Sequence, residues 1–95
     1  MQVNQMNNQE LKLLIKKLIY QSKYMGCREN DIIFGNFASD NLPGMDAKKI
    51  FLYAKLLQHS DTDLLSMVTG IRKADSKYAA LIEQIMNYTK VIKNG

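Results

Sequence analysis

The sequence predicts an all-α fold, a small five-helix bundle. Three observations predict it. Apolar residues recur at intervals of three and four through most of the chain. Strand-type alternation is absent. Isolated glycines and one Pro-Gly pair punctuate the periodic segments at spacings that suit short helix–helix connections. The 95 residues are expected to form a single domain, because a chain of this size buries roughly 60–70% of its unfolded surface and builds one core.

The first helix is expected over Gln9–Met25. Leu11, Leu14, Ile15, Leu18 and Ile19 form its inner stripe, continued by Ser22 and Met25, while Lys12, Lys16, Tyr20 and Lys23 face outward. Gly26 is its expected end, since glycine takes the left-handed cap conformation without steric cost. A second helix is expected over Arg28–Ser39, with Ile33 and Phe37 four apart. Its interior Gly35 costs about 1 kcal/mol relative to alanine, so a packing reason is expected for it. The segment "SDNLPGMD" reads as a loop. Asp46 then caps a third helix with the stripe Ile50, Tyr53, Leu56 and Leu57. Ser60 and Asp63 form a capping-box-like pair ahead of Leu64, Leu65 and Val68, and Gly70 closes that fourth helix. The last helix spans about residues 75–92, with Tyr78, Leu81, Ile82, Ile85, Thr89 and Ile92 on one face. Residues 1–8 read as a flexible extension.

Hydrophobic residues make up 46% of the chain and charged residues 23%, the composition of an ordinary soluble domain. No apolar run is long enough to cross a bilayer, so no membrane insertion is expected. The N-terminal stretch lacks the basic start and apolar run of a secretion signal, and it lacks the Arg-rich character of a mitochondrial presequence. The expected compartment is the cytoplasm. Cys27 is the only cysteine, which excludes an internal disulfide and fits a reducing environment. The formal charge of +4 is uneven: residues 1–30 carry five Lys or Arg against two Glu, and residues 31–70 carry three Lys against five Asp. A dedicated nucleic-acid binder concentrates more positive charge on one face.

Catalysis needs convergent titratable groups, and none are evident. His59 sits where a third helix ends and is expected to interact with its C-terminus. One Cys and one His cannot complete a tetrahedral zinc site, and no phosphate-cradling glycine loop is present. Asp61 and Asp63 fall in the first turn of a helix, where negative charge is favoured by roughly 0.3–1 kcal/mol. Neither enzyme activity nor a bound cofactor or metal is expected. The alternative class is a small basic helical nucleic-acid-binding or regulatory domain, since two helices about a glycine turn outline a helix-turn-helix. Against it, Glu29 and Asp31 open the second helix and would meet phosphates repulsively.

The stretches "LIYQSKYMGCRENDIIFGNF" and "IFLYAKLLQHSDTDLLSMVTG" carry a resemblance. Over about residues 18–70 the chain resembles the FAD assembly factors of succinate dehydrogenase, that is, the SdhE-type flavinators and the succinate dehydrogenase assembly factor 2 proteins. Gly26 and Glu29 match the family's Arg-Gly-x-x-Glu motif, and Asp31, Ile32, Ile33, Phe34, Gly35 and Phe37 match its extension. Phe51, Leu56, Leu57, Asp61, Asp63, Leu64 and Gly70 match a second block. Two positions depart: Met25 stands where the family has Arg, and Met67 stands near the place of its usual Trp. Met offers apolar contact where Arg offers a planar fork.

The resemblance implies an assembly chaperone that binds the flavoprotein subunit of succinate dehydrogenase or fumarate reductase and promotes covalent attachment of FAD to a His of that subunit. It implies a partner surface of Met25, Gly26, Arg28, Glu29 and Asp31, with no cofactor held by this chain. A monomer is expected.

Overall fold

The computed structural model describes residues 7–94, with side chains through Lys90. Five α-helices follow in order: α1 (Asn8–Lys23), α2 (Arg28–Asn41), α3 (Ala47–Leu56), α4 (Asp61–Val68) and α5 (Ala79–Asn94). Short 3-10 turns at Leu42–Gly44 and Ser76–Tyr78 lead toward α3 and into α5, and the described residues contain no strand. The expected all-α five-helix bundle is the fold.

Helix α2 is central and packs against α1, α4 and α5. Its Phe34, Phe37 and Ala38 are fully buried, together with Leu42 of the following turn, Ile50, Tyr53 and Leu56 of α3, Leu64 of α4 and Ile85 of α5. Each large side chain so buried contributes roughly 1.5–3 kcal/mol. Gly35 has the packing reason its position demands. A Cβ there would lie 3.1 Å from Lys23 Cγ and 3.3 Å from Lys23 Cα, so the backbones of α1 and α2 approach closely at this point. Beside it the Tyr53 hydroxyl and Ser22 Oγ share a hydrogen bond at 2.6 Å, and Ser22 Oγ lies 2.7 Å from the Leu18 carbonyl. Burial pushes the Tyr53 pKa far up, against the pull of the Ser22 hydrogen bond, so the phenol stays neutral. At the other end of α2, the Tyr88 hydroxyl of α5 donates to the Asp40 carboxylate, with the Asn36 carbonyl 3.3 Å away, and Tyr88 packs edge-on against Phe37.

Several boundaries differ from the sequence expectation. Helix α1 starts at Asn8, where a flexible extension is expected. Asn7 is its N-cap: its side chain accepts from Glu10 N–H at 2.8 Å, and Glu10 accepts from Asn7 N–H at 3.2 Å, a complete capping box. The rest of that extension, residues 1–6, lies outside the described residues, as does the side chain of Ile92. At its other end α1 stops at Lys23 with Tyr24 as C-cap, two residues before the expected Met25. Helix α2 runs past Ser39 to Asn41, and much of the expected loop is helical; Pro43 sits early in the 3-10 turn, where its missing N–H costs nothing. Asp46 caps α3 by accepting from Lys49 N–H at 2.9 Å, and Ser60 caps α4 by accepting from Asp63 N–H at 3.1 Å.

Candidate partner-docking corner

Between α1 and α2 the chain reverses over Tyr24–Cys27. Tyr24 closes α1 with its N–H on the Gln21 carbonyl at 3.3 Å. Gly26 has φ +92°, a left-handed value that a side chain would strain. Cys27 is the N-cap of α2 and makes no side-chain capping bond. The turn is fixed from inside α2 instead. The Asp31 carboxylate reaches back and accepts from Met25 N–H at 2.5 Å, while Asp31 N–H donates to the Cys27 carbonyl at 2.8 Å.

A second tether ties this corner to α4. Asn30 is fully buried and its Nδ2 donates to the Asp61 carbonyl at 2.9 Å; its Oδ1 has no protein partner. The Asp61 carboxylate lies against Gly26, with Oδ2 3.7 Å from where a Cβ would stand. The five sequence-predicted residues are thus brought together, with different exposures. Gly26, Arg28 and Glu29 face solvent, whereas Met25 and Asp31 are half-buried. Asp31 shapes the turn; Glu29 presents charge outward.

The Glu29 pKa is held below the usual carboxylate value, first by its own backbone N–H at the start of α2 and then by the Cys27 thiol, whose Sγ lies 3.4 Å from Oε2. Arg28 adds a smaller charge attraction. An outward, ionised carboxylate beside a bare glycine can take a lysine or arginine of another protein in a charge-assisted hydrogen bond, with close backbone approach.

A groove of about 480 Å³ adjoins the corner, lined by residues that include Tyr20, Tyr24, Met25, Leu57 and Asp61. Tyr20 and Tyr24 are exposed and their rings lie 4.7 Å apart. Sequence reasoning missed this pair and Asn30. The i, i+4 spacing of the tyrosines was the available signal.

The other chemistry-bearing residues have structural surroundings. His59 Nδ1 donates to the Leu56 carbonyl at 3.1 Å and its ring packs edge-on against Tyr78. Asp63 pairs with Arg72 at 3.0 Å. Among the described residues, no three His, Cys, Asp or Glu side chains gather where they would hold a metal ion. No helix among them is long and apolar enough to cross a membrane.

Comparison with known proteins agrees with the motif reading. Residues 16–89 match the model of the family described as flavinator of succinate dehydrogenase, so the match runs past Gly70 through most of α5. Similar proteins named succinate dehydrogenase assembly factor 2, mitochondrial, include one from Culex quinquefasciatus, 33% identical over 94% of this chain and 56% of its own length. Another, from Caenorhabditis briggsae, is 39% identical over 81% of this chain and 62% of its own. A third, from Dictyostelium discoideum, is 38% identical over 70% of this chain and 45% of its own. The chain spans about half the length of the curated relatives it matches. No solved structure matches it significantly. With the family model covering most of the helical bundle, the chain belongs to the flavinator of succinate dehydrogenase family.

Proposed function

We propose that this chain is a non-catalytic assembly chaperone of succinate dehydrogenase or fumarate reductase. It binds the flavoprotein subunit and promotes covalent attachment of FAD to that subunit's own histidine. The observation that carries the reading is the Gly26–Glu29 corner, which faces outward while Asp31 and Asn30 fix it from within. An exposed carboxylate on a tethered turn beside a glycine suits gripping a larger protein, and the chemistry then belongs to the partner, whose reacting groups are held in alignment. FAD is the partner's cargo and not a resident group of this chain. We take the working form to be a monomer. The cytoplasm is the compartment expected from the sequence, whereas the relatives' names say mitochondrial; fractionation of cells carrying a tagged chain decides between them.

The test is covalent flavin on the flavoprotein subunit, read by in-gel fluorescence in cells carrying Glu29→Ala or Gly26→Arg. Loss of the flavin signal is expected with helicity intact by circular dichroism. Wild-type flavin levels in either variant would show that the corner is not the docking surface. Met25→Arg, which restores the family residue at the groove edge, is expected to keep or improve binding to a typical family partner; a clear loss in a pull-down counts against that account of Met25.

A further inference from the structure

Helix α3 buries Ile50, Tyr53 and Leu56 and turns its opposite face outward. That face carries Lys48, Leu52 and Lys55, flanked by Lys49 and Phe51, and the turn before α5 adds Lys77. These six residues line a cleft of about 430 Å³ that shares no residue with the groove beside Gly26. The lysines are exposed, whereas Phe51 and Leu52 are half-buried. No acid lines the cleft. The only ion pair among the described residues is Arg72–Asp63, so none of the four ammonium groups has a carboxylate in contact. Four lysines lining one cleft with no acid among them repel one another, and an anionic occupant relieves that repulsion.

We propose that this cleft is a second docking site, for a short acidic and apolar peptide segment of a partner protein. The lysine rim calls for carboxylates, and Phe51 with Leu52 calls for aliphatic or aromatic side chains between them. Its size falls in the range of roughly 300–1,000 Å³ common for ligand sites, enough for a few side chains. Phe51 and Leu52 stay partly exposed among the lysines, so an occupant with apolar side chains covers surface that phosphates alone would leave bare. The rim charges speed encounter and make binding salt-sensitive, while the apolar contact supplies specificity over charge alone. The proposal is independent of the reading of the Gly26–Glu29 corner.

The test uses the purified chain and two fluorescein-labelled peptides of equal charge, one alternating Glu with Leu and one alternating Glu with Ser. Anisotropy is expected to show binding of the Glu-Leu peptide and much weaker binding of the Glu-Ser peptide. Amide NMR shifts should gather at residues 48–55 and 77. Lys48→Glu with Lys55→Glu should weaken binding about tenfold or more, and Leu52→Ser should weaken it as well. Reversal of Lys12 and Lys16 on α1 should leave affinity within about twofold. Circular dichroism checks the fold of each variant, and the shift map of the unaltered chain decides should a variant unfold. Equal binding of the two peptides, equal loss on reversing Lys12 and Lys16, or shifts elsewhere overturns the proposal. So does displacement of the peptide from this cleft by phosphatidylserine vesicles or by duplex DNA.

Discussion

Two turns of this bundle rest on a left-handed glycine, Gly26 between α1 and α2 with φ +92° and Gly70 after α4 with φ +82°. They differ in what surrounds the glycine. At Gly26 the Asp31 carboxylate holds Met25, buried Asn30 ties α2 to α4, and Asp61 lies against the glycine itself. At Gly70 nothing stands within 4 Å of a Cβ position, and Ile71 is 83% exposed. The Arg72–Asp63 ion pair that spans this second turn is nearly half exposed on both sides. A left-handed glycine alone therefore marks only a helix stop. The Gly70 turn is held by backbone bonds within its own segment, Arg72 N–H to the Ser66 carbonyl at 3.0 Å and Gly70 N–H to the Met67 carbonyl at 3.4 Å, whereas the Gly26 turn is held by the Asp31 and Asn30 side chains, the latter reaching across to another helix.

Removing the tethers should break the contrast most strongly. Asn30→Ala removes the bond to the Asp61 carbonyl and empties part of a fully buried position, and should cost about 1–3 kcal/mol in urea unfolding. Asn30→Asp should cost more, because a buried carboxylate would then face that carbonyl. Arg72→Ala at the other turn should cost less than about 1 kcal/mol. If Arg72→Ala proved as damaging as Asn30→Ala, the two turns would be equally built. The next effect separates stability from docking. Gly26→Ala and Gly70→Ala should each cost about 1–2 kcal/mol through backbone strain. Only the former should reduce flavin attachment on the partner subunit; a comparable reduction from Gly70→Ala would remove the functional side of the comparison.

These tethers also separate what can be read from the sequence from what cannot. The central helix is legible because Ile33 and Phe37 recur four apart and Gly35 inside a helix demands a close neighbour, although the structure buries Phe34 fully beside Phe37 and leaves Ile33 half-buried. Asp46 and Ser60 are legible as caps because each stands immediately before a periodic run. The end of α1 is not, because Asp31, six residues on, takes the Met25 N–H and draws the chain out of the helix. The start of α1 carries its signal as Asn-x-x-Glu, obscured by an Asn- and Gln-rich run. Within the corner, the glycine and the charges around it are visible as a pattern. Asn30 reads as one more polar surface residue between Glu29 and Asp31, and only the packing of α4 over the start of α2 buries it. Pairing between segments thirty residues apart leaves no periodic trace.

The smallest expected effect tests whether the corner's outward charge is set by the turn itself. Glu29 has a folded-state pKa below its ordinary value, so folding favours its carboxylate form. Its contribution to stability is complete above the ordinary glutamate range and is lost as pH falls through the lowered folded value. Its full exposure keeps that contribution small, so the site's own titration followed by carboxyl NMR is the sensitive measurement. The largest cause is the backbone N–H at the start of α2, which no side-chain substitution removes. The Cys27 thiol comes next and Arg28 last. Cys27→Ala should therefore raise the Glu29 pKa further than Arg28→Ala does, and both should leave it below the ordinary value. A larger rise from Arg28→Ala would make the neighbouring cation the main support of the charge. In that case the turn would position Glu29 without also setting its ionisation, and the corner would differ from the Gly70 turn in geometry alone.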